Sequence, residues 1–288
     1  MNRKHILILD GMALLFRSFF ATSFTGQFMR NQAGVPTNAI YGFLKHLTLA
    51  NKQFCPDTIL CCWDLGGKTF RHKLFPQYKA NRDEPPLELI PQFQLVKHIV
   101  QALGIENISY PGYEADDCIG TLSTRLSKDH KVNILTGDQD LLQLINQNTH
   151  VTLLKKGYGN YQVFNQELLE LEWGITPKQV IDLKALMGDS ADNYPGVKGI
   201  GKKTAERLLK DYTSIEQIIE NLADLPRGVQ TKIKNDLDML HLSRKLATIF
   251  CHVPLPIDSS LAPWKPKYDV IHRSFQELGC SHLTSLVR

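Results

Sequence analysis

The 288-residue sequence predicts an α/β domain on a largely parallel sheet flanked by helices, joined to an all-helical region. Two observations predict it. Over the first 155 residues, within a domain placed at 1–172, short apolar runs alternate with longer amphipathic stretches, the pattern of strand–helix repeats. From residue 173 the helical period continues and the strand-like runs cease. The first strand is Ile6 to Leu9, followed by a helix over Met12 to Phe20. Ala39 to Phe54 is the next helix and Thr58 to Trp63 the next strand, in which the adjacent Cys61 and Cys62 point to opposite faces. Helices over Leu87 to Leu103 and Glu114 to Lys128 precede strands at Lys131 to Leu135 and Val151 to Leu154. The second region, residues 173–255, holds helices at Pro177 to Gly188, Thr204 to Asp211, Ser214 to Asn221, Val229 to Leu237 and Leu240 to Phe250. A Pro-punctuated tail, residues 256–288, closes the chain.

Composition excludes several classes. A hydrophobic fraction of 43% is too high for a disordered chain. No apolar run approaches the roughly 18 residues of a membrane span. Arg3, Lys4 and His5 precede an apolar run, but Asp10 and Arg17 interrupt it too early for a signal peptide. The six cysteines show no metal-binding spacing, so the expectation is reduced thiols in the cytoplasm; a monomer is the default expectation for oligomeric state.

The acids are unevenly placed. Asp10 and Asp64 end the first two strands, and Glu114, Asp116 and Asp117 open a helix in GYEADDCIG. Asp138 and Asp140 follow the third strand in TGDQD, and Asp189 and Asp192 lie in GDSADN. Any one of them has an ordinary role as a helix cap or first-turn acid. As a set, they reach the carboxyl edge of one sheet, where α/β proteins bind ligands. Crowded carboxylates repel one another and raise each other's pKa, and divalent cations relieve this. A donor set without His or Cys suits Mg²⁺ or Mn²⁺ rather than Zn²⁺. Two such ions suit in-line phosphoryl displacement. Asp138 and Asp140 point to one side if the segment is extended, and Asp189 and Asp192 share a face if theirs is helical. The spacing leaves open which of Asp116 and Asp117 ligates directly.

Two basic elements accompany the acids. Gly196-Val197-Lys198-Gly199-Ile200-Gly201-Lys202-Lys203 reads as a glycine hairpin before a basic helix, able to hold a nucleic-acid backbone without reading bases. The segment from 66 to about 90 interleaves Arg71, Lys73, Lys79 and Arg82 with Phe70, Phe75 and Tyr78, a mixture that suits phosphates and stacked bases. The net charge of +4 conceals both features: nine of the 29 acids belong to the cluster, so the remaining surface is markedly basic.

The strings ILILDGMALLFRSFFA, FRHKLFPQYKANR, GYEADDCIGTL, TGDQDLLQL and LMGDSADNYPGVKGIGKKTA resemble the bacterial 5′→3′ exonuclease and flap endonuclease family, over about residues 5 to 250. That family includes the nuclease domain of bacterial DNA polymerase I and related phage exonucleases. The end at Arg288 leaves no room for a polymerase and implies a stand-alone relative. The resemblance implies a PIN-like nuclease core with a helical arch at 66–90 and a helix–hairpin–helix region. It implies that Asp10, Asp64, Glu114 and Asp116 surround a first metal ion and Asp138, Asp140, Asp189 and Asp192 a second, with Asp117 a further acid. In the arch, Lys79 and Arg82 would hold the scissile phosphate, Tyr78 would stack and Arg71 would contact DNA. In the hairpin, Lys198, Gly199, Gly201, Lys202 and Lys203 would hold duplex, with K⁺ on the carbonyls of Val197 and Ile200. The implied cofactor is Mg²⁺, two or more ions, with Mn²⁺ able to substitute. The implied partner is DNA with a 5′ flap or a 5′ end beside duplex, and the implied role is replication and repair. An RNA-directed nuclease on the same core and a non-catalytic junction binder are the competing readings.

Overall fold

The first strand, β1 (His5–Asp10), shows why the sheet is central: Ile6 to Leu9 are all buried, so both faces are covered. Residues 3–24, 26–256, 262–265 and 268–277 are described in this computed structural model. Five further strands are β2 (Thr58–Cys62), β3 (Glu106–Ile108), β4 (Lys131–Thr136), β5 (Thr149–Leu154) and β6 (Tyr161–Phe164). They form one sheet in the order β3-β2-β1-β4-β5-β6, parallel except for the β5–β6 pair. The chain winds outward from β1 through β2 to β3 and then returns to place β4 on the other side of β1. The point of reversal lies between β1 and β4, where the carboxyl ends open a crevice.

Alternate residues of each strand serve different layers. Leu7, Leu9, Ile59 and Cys61 pack with α1 (Gly11–Thr22), α2 (Asn38–Phe54) and α4 (Ile90–Ala102). Ile6, Ile8, Leu60 and Cys62 pack with α5 (Ala115–Leu126) and, through it, with the helical region. That region comprises α6 (Gln166–Trp173), α7 (Pro177–Met187), α8 (Lys202–Tyr212), α9 (Ile215–Glu220), α10 (Arg227–Asn235) and α11 (Leu237–Ala247). α7 packs against α11 and against the 3₁₀ turn Asp140–Leu144, which ties the helical region to the sheet edge.

Several elements depart from the sequence reading. β3 and β6 are short strands on the sheet's two edges and lack a long apolar run. α6 is a single amphipathic helix of eight residues capped by Asn165. Between 66 and 89, helix is confined to α3 (Phe70–Leu74), and turns make up much of the rest. The described part of the tail is not featureless: Trp264 donates its indole N–H to the Leu103 carbonyl (2.9 Å), and α12 (Tyr268–Glu277) buries Phe275. Pro266 and Cys280 lie outside the described residues. The five described cysteines are free thiols.

Candidate active site

Backbone features position several of the acids and give them hydrogen bonds. Asp10 caps α1, accepting from the Ala13 N–H (3.0 Å) and from the Thr136 hydroxyl (2.7 Å). Asp64, two residues beyond β2, accepts from the Ala115 N–H at 2.6 Å. Glu114 caps α5, and Asp116 lies in its first turn. Asp138 accepts from the Asp140 N–H (2.9 Å), while its own N–H donates to the Thr136 hydroxyl (2.9 Å). Asp140 therefore opens a 3₁₀ turn rather than continuing an extended segment.

Asp189 and Asp192 do not share a helix face. α7 ends at Met187, and the two acids sit in a loop closed by paired hydrogen bonds between Asp189 and Tyr194. The loop exists because two glycines meet at its neck. A Cβ on Gly196, at φ +61°, would lie 2.3 Å from the Gly188 nitrogen, so no larger residue fits there.

Burial and crowding dominate the electrostatics. Burial, reinforced by Asp138 and Asp64 against its two hydrogen bonds, lifts Asp10 to about 6. Burial and Asp138 lift Asp140 to about 7 despite Lys184. Burial, Asp138 and Asp10 push Asp116 well above the usual carboxylate range, and burial raises Asp64 as well. Three cations offset the charge. Lys79 donates to Glu114 Oε2 (2.9 Å) and stands 3.9 Å from Asp192 Oδ1, to which Arg82 donates at 2.7 Å. Lys184, which the sequence reading passed over on α7, lies 2.5 Å from Asp140 Oδ1 and pairs also with Asp189. Burial lowers the Lys184 ammonium's affinity for its proton, but the two acids outweigh burial and hold it charged. Asp189 shifts the other way: Lys184 outweighs burial and holds it below the usual range.

Three predicted residues have other roles here. Asp117 faces away from the crevice and is fully buried. Its carboxylate takes two parallel hydrogen bonds from Arg71 (2.8 Å each) and accepts the Glu114 and Phe250 N–H groups. This bears on the choice between Asp116 and Asp117, since every Asp117 oxygen is already engaged. Arg71 is 2% exposed, so it has no surface to offer DNA in this conformation. It donates to the carbonyls of Leu246 and Thr248 (2.9 Å each) and lies 3.5 Å from Glu114. Tyr78 is also 2% exposed; its hydroxyl lies 2.9 Å from Asp192 and 3.1 Å from Glu114, with one proton to share between them, and the ring is not free. Phe70 packs on Tyr113 and Phe250, and Phe75 on the Tyr78–Tyr194 cluster. Among the described residues the exposed Phe, Tyr and Trp side chains are Phe20 and Phe24, 59% and 96% accessible, after the first strand. Phe16 and Phe20 line a 640 Å³ groove that runs past Arg82.

The hairpin presents Lys198, Lys202 and Lys203 to solvent, joined by Arg207, Lys210, Lys232 and Lys234. Lys202 lies over the Trp173 ring at 4.8 Å and 3.7 Å from Glu206. Gly199 turns at φ +81°, and Gly201 precedes α8 without a side-chain cap. Val197 and Ile200 are buried, and the Val197 carbonyl accepts the Ile200 N–H at 3.0 Å.

The donor set at the crevice is all carboxylate, and burial and crowding raise Asp10, Asp64, Asp116 and Asp140, which fits a hard divalent cation. Among the described residues no three acidic, His or Cys side chains already stand grouped to hold an ion. Instead, Lys79 and Lys184 sit between the acids.

Comparison with known proteins follows this geometry. Residues 5–174 match the 5'-3' exonuclease N-terminal resolvase-like domain, and residues 175–269 the 5'-3' exonuclease C-terminal SAM fold. A 5'-3' exonuclease of Bacillus subtilis (strain 168) is 55% identical over 255 residues, covering 88% of this chain and 86% of that protein. DNA polymerase I of Lactococcus lactis subsp. lactis (strain IL1403) is 37% identical across 99% of this chain but only 33% of its own length. The chain thus spans about a third of that polymerase. Zinc-bound T5 5'-exonuclease superposes with a TM-score of 0.71 at 19% identity, covering 99% of this chain and 98% of that one. The catalytic core of Rad2 in complex with DNA substrate gives 0.63 at 17%, covering 99% and 91%. At these identities the two structures speak for the fold. Two adjoining domain matches and a relative 55% identical over most of both chains decide the family: the chain belongs to the 5'-3' exonucleases and is a nuclease.

Proposed function

We propose that the chain hydrolyses phosphodiester bonds of DNA at 5′ ends and at 5′-flap junctions, by a two-metal-ion reaction with Mg²⁺, in replication and repair. What supports this reading is the electrostatic coupling of Asp10, Asp64, Glu114, Asp116 and Asp138 near the sheet's carboxyl edge, with Lys79 on Glu114 and Arg82 on Asp192. T5 5'-exonuclease has been solved with zinc, and T5 D15 flap endonuclease with DNA and metal ions; the same chemistry is assigned here to the carboxylates. Asp10, Asp64, Glu114 and Asp116 would hold one ion, and Asp138, Asp140, Asp189 and Asp192 a second. The chemistry such ions would supply, when held there, is activation of water and stabilisation of the leaving oxygen.

The protein's own groups do the rest. Lys79 and Arg82, which hold Glu114 and Asp192 here, would offset charge on the phosphate in the transition state. Lys184, paired with Asp140 and Asp189, would have to yield both for them to hold an ion. The solvent-facing lysines of the hairpin and α8 hold duplex through its phosphates, which fixes register and leaves sequence unread. The groove past Phe16, Phe20 and Arg82 suits a single strand, with aromatic faces beside a cation.

The test is a product-length assay on 5′-labelled flap, nicked and blunt duplexes, with and without Mg²⁺, and on a matched RNA. Flap cleavage that requires Mg²⁺ and falls by about 100-fold or more in the Asp138→Asn, Asp140→Asn double variant is expected. Wild-type cleavage by that variant would remove the metal assignment, and preferred RNA turnover would replace the substrate.

A further inference from the structure

Asp10 and Asp64 arrive from neighbouring strands, and one side chain stands between the backbones that carry them. Trp63, the residue before Asp64, lies one position beyond β2 and continues its pairing, with its N–H on the Ile108 carbonyl (2.8 Å). Its side chain falls on the α1 side of the sheet and is 1% exposed. There it meets Gly11, the residue after Asp10 and the first of α1. A Cβ on Gly11 would lie 2.6 Å from two atoms of the indole's six-membered ring and 2.7 Å from a third, so the ring rests directly on the Gly11 backbone. Only glycine lets α1 start this close to β2.

The ring is fixed from behind. Its indole N–H donates to Asn107 Oδ1 on β3 (2.6 Å), and the Asn107 amide donates to the Lys97 carbonyl on α4 (2.9 Å). Phe43 of α2 stacks on it at 5.7 Å and 20°, and the Lys97 ammonium lies 5.5 Å from its centroid. Close packing and a satisfied indole would suit any core tryptophan. What is particular is the order, Asp10-Gly11 against Trp63-Asp64: a rigid plane held by α2, α4 and β3 sets how near two acid-bearing backbones stand. Asp10 also caps α1 through the Ala13 N–H, so moving the start of α1 moves its carboxylate. Relieving a 2.6 Å contact to an ordinary 3.4 Å or more shifts one backbone by about 1 Å, beyond the roughly 0.5 Å that a metal site tolerates.

We propose that Trp63 is a positioning residue: its ring sets the separation of the Asp10 and Asp64 carboxylates, and with it the affinity of this part of the crevice for a divalent ion. This rests on the reading that Asp10 and Asp64 hold one ion between them.

Mn²⁺ alone, followed by the electron paramagnetic resonance of the free ion, tests it on the full chain without DNA, well below every melting temperature. Trp63→Leu is expected to weaken binding about tenfold, as loss of an outer support does at metal sites. Gly11→Ala, which pushes against the same ring, is expected to match it. Trp63→Phe keeps a six-membered ring over Gly11 and should stay within about twofold of wild type. The Trp63→Leu, Gly11→Ala double variant should bind no more weakly than Trp63→Leu alone, because the smaller side chain leaves room for the methyl. Phe164→Leu alters an equally buried ring on β6; it should melt lower by circular dichroism and bind Mn²⁺ as wild type does. Wild-type Mn²⁺ binding by Trp63→Leu and Gly11→Ala overturns the proposal and makes Trp63 a core filler. So do losses that add in the double variant, or an equal loss in Phe164→Leu, which would trace the effect to general destabilisation. If Trp63→Leu does not fold, Gly11→Ala and Trp63→Phe decide the matter by the same criteria. Asp10→Asn separates the two readings: if it binds Mn²⁺ undiminished, these acids do not hold the ion, and the reading beneath the proposal fails instead.

Discussion

Replacing Arg71 by Met separates a structural strut from a DNA contact. The guanidinium is 2% exposed and makes four hydrogen bonds between 2.8 and 2.9 Å, two to Asp117 and one each to Leu246 and Thr248. Met fills much of the same volume but leaves Asp117 as a fully buried anion with only the Glu114 and Phe250 N–H groups facing it. Stranding one partner of a buried pair costs about 3–5 kcal/mol. The two orphaned carbonyls add roughly 1 kcal/mol each. Against a total stability of about 5–15 kcal/mol, that is a large share. The expected drop in melting temperature is roughly 10 °C or more. Arg71→Lys keeps the charge but not the paired geometry and should fall between. Adding Asp117→Asn to Arg71→Met removes the stranded charge and should recover part of the loss. Thermal unfolding by circular dichroism, with flap binding measured well below the melt, reads both quantities. An Arg71→Met variant that melts with the wild type but binds flap DNA severalfold more weakly would refute the strut and restore Arg71 as a DNA contact.

Three other predictions follow from different parts of the structure. Lys184→Met removes the cation between Asp140 and Asp189 and should lower stability in EDTA at pH 8 by about 2 kcal/mol, with Mg²⁺ narrowing the gap; equal melting in EDTA counts against it. Burial, with Arg17 and Lys45 nearby, lowers His46 to about 4, so it stays neutral in the fold while the unfolded chain takes up its proton below about 6.5. Its contribution is complete above pH 6.5 and fades as pH falls toward 4, by at most about 3 kcal/mol; His46→Gln should flatten that limb, and an unchanged acid slope would exclude His46 as its source. Gly196→Ala should cost about 3 kcal/mol or more by forcing the neck of the 189–195 loop apart, whereas Gly201→Ala, whose Cβ meets nothing within 4 Å, should stay within about 0.5 kcal/mol; chemical denaturation compares them.

The sequence by itself determined the layered α/β core, the helical region after residue 173 and the gathering of acids at one sheet edge. Those features are local. An unbroken run such as Ile6 to Leu9 can satisfy its side chains only in a strand covered on both faces, and acids placed just after strands must emerge at the carboxyl edge. Gly196 was legible as part of a glycine turn, but Gly188, read as the end of a helix, was not, because its close approach is to a residue eight positions away. What tertiary structure decided is the partner of each charge. Arg71 and Lys79 sit in one basic string, yet Arg71 is sealed against Asp117 and two α11-end carbonyls while Lys79 reaches Glu114. Asp116 and Asp117 are neighbours, but a helix turns them about 100° apart, so one remains at the crevice and the other enters the core. Lys184 carried no signal in the sequence, because the acids it serves come from other elements. Coulomb energy and desolvation depend on distance and burial in space, and neither can be read along the chain.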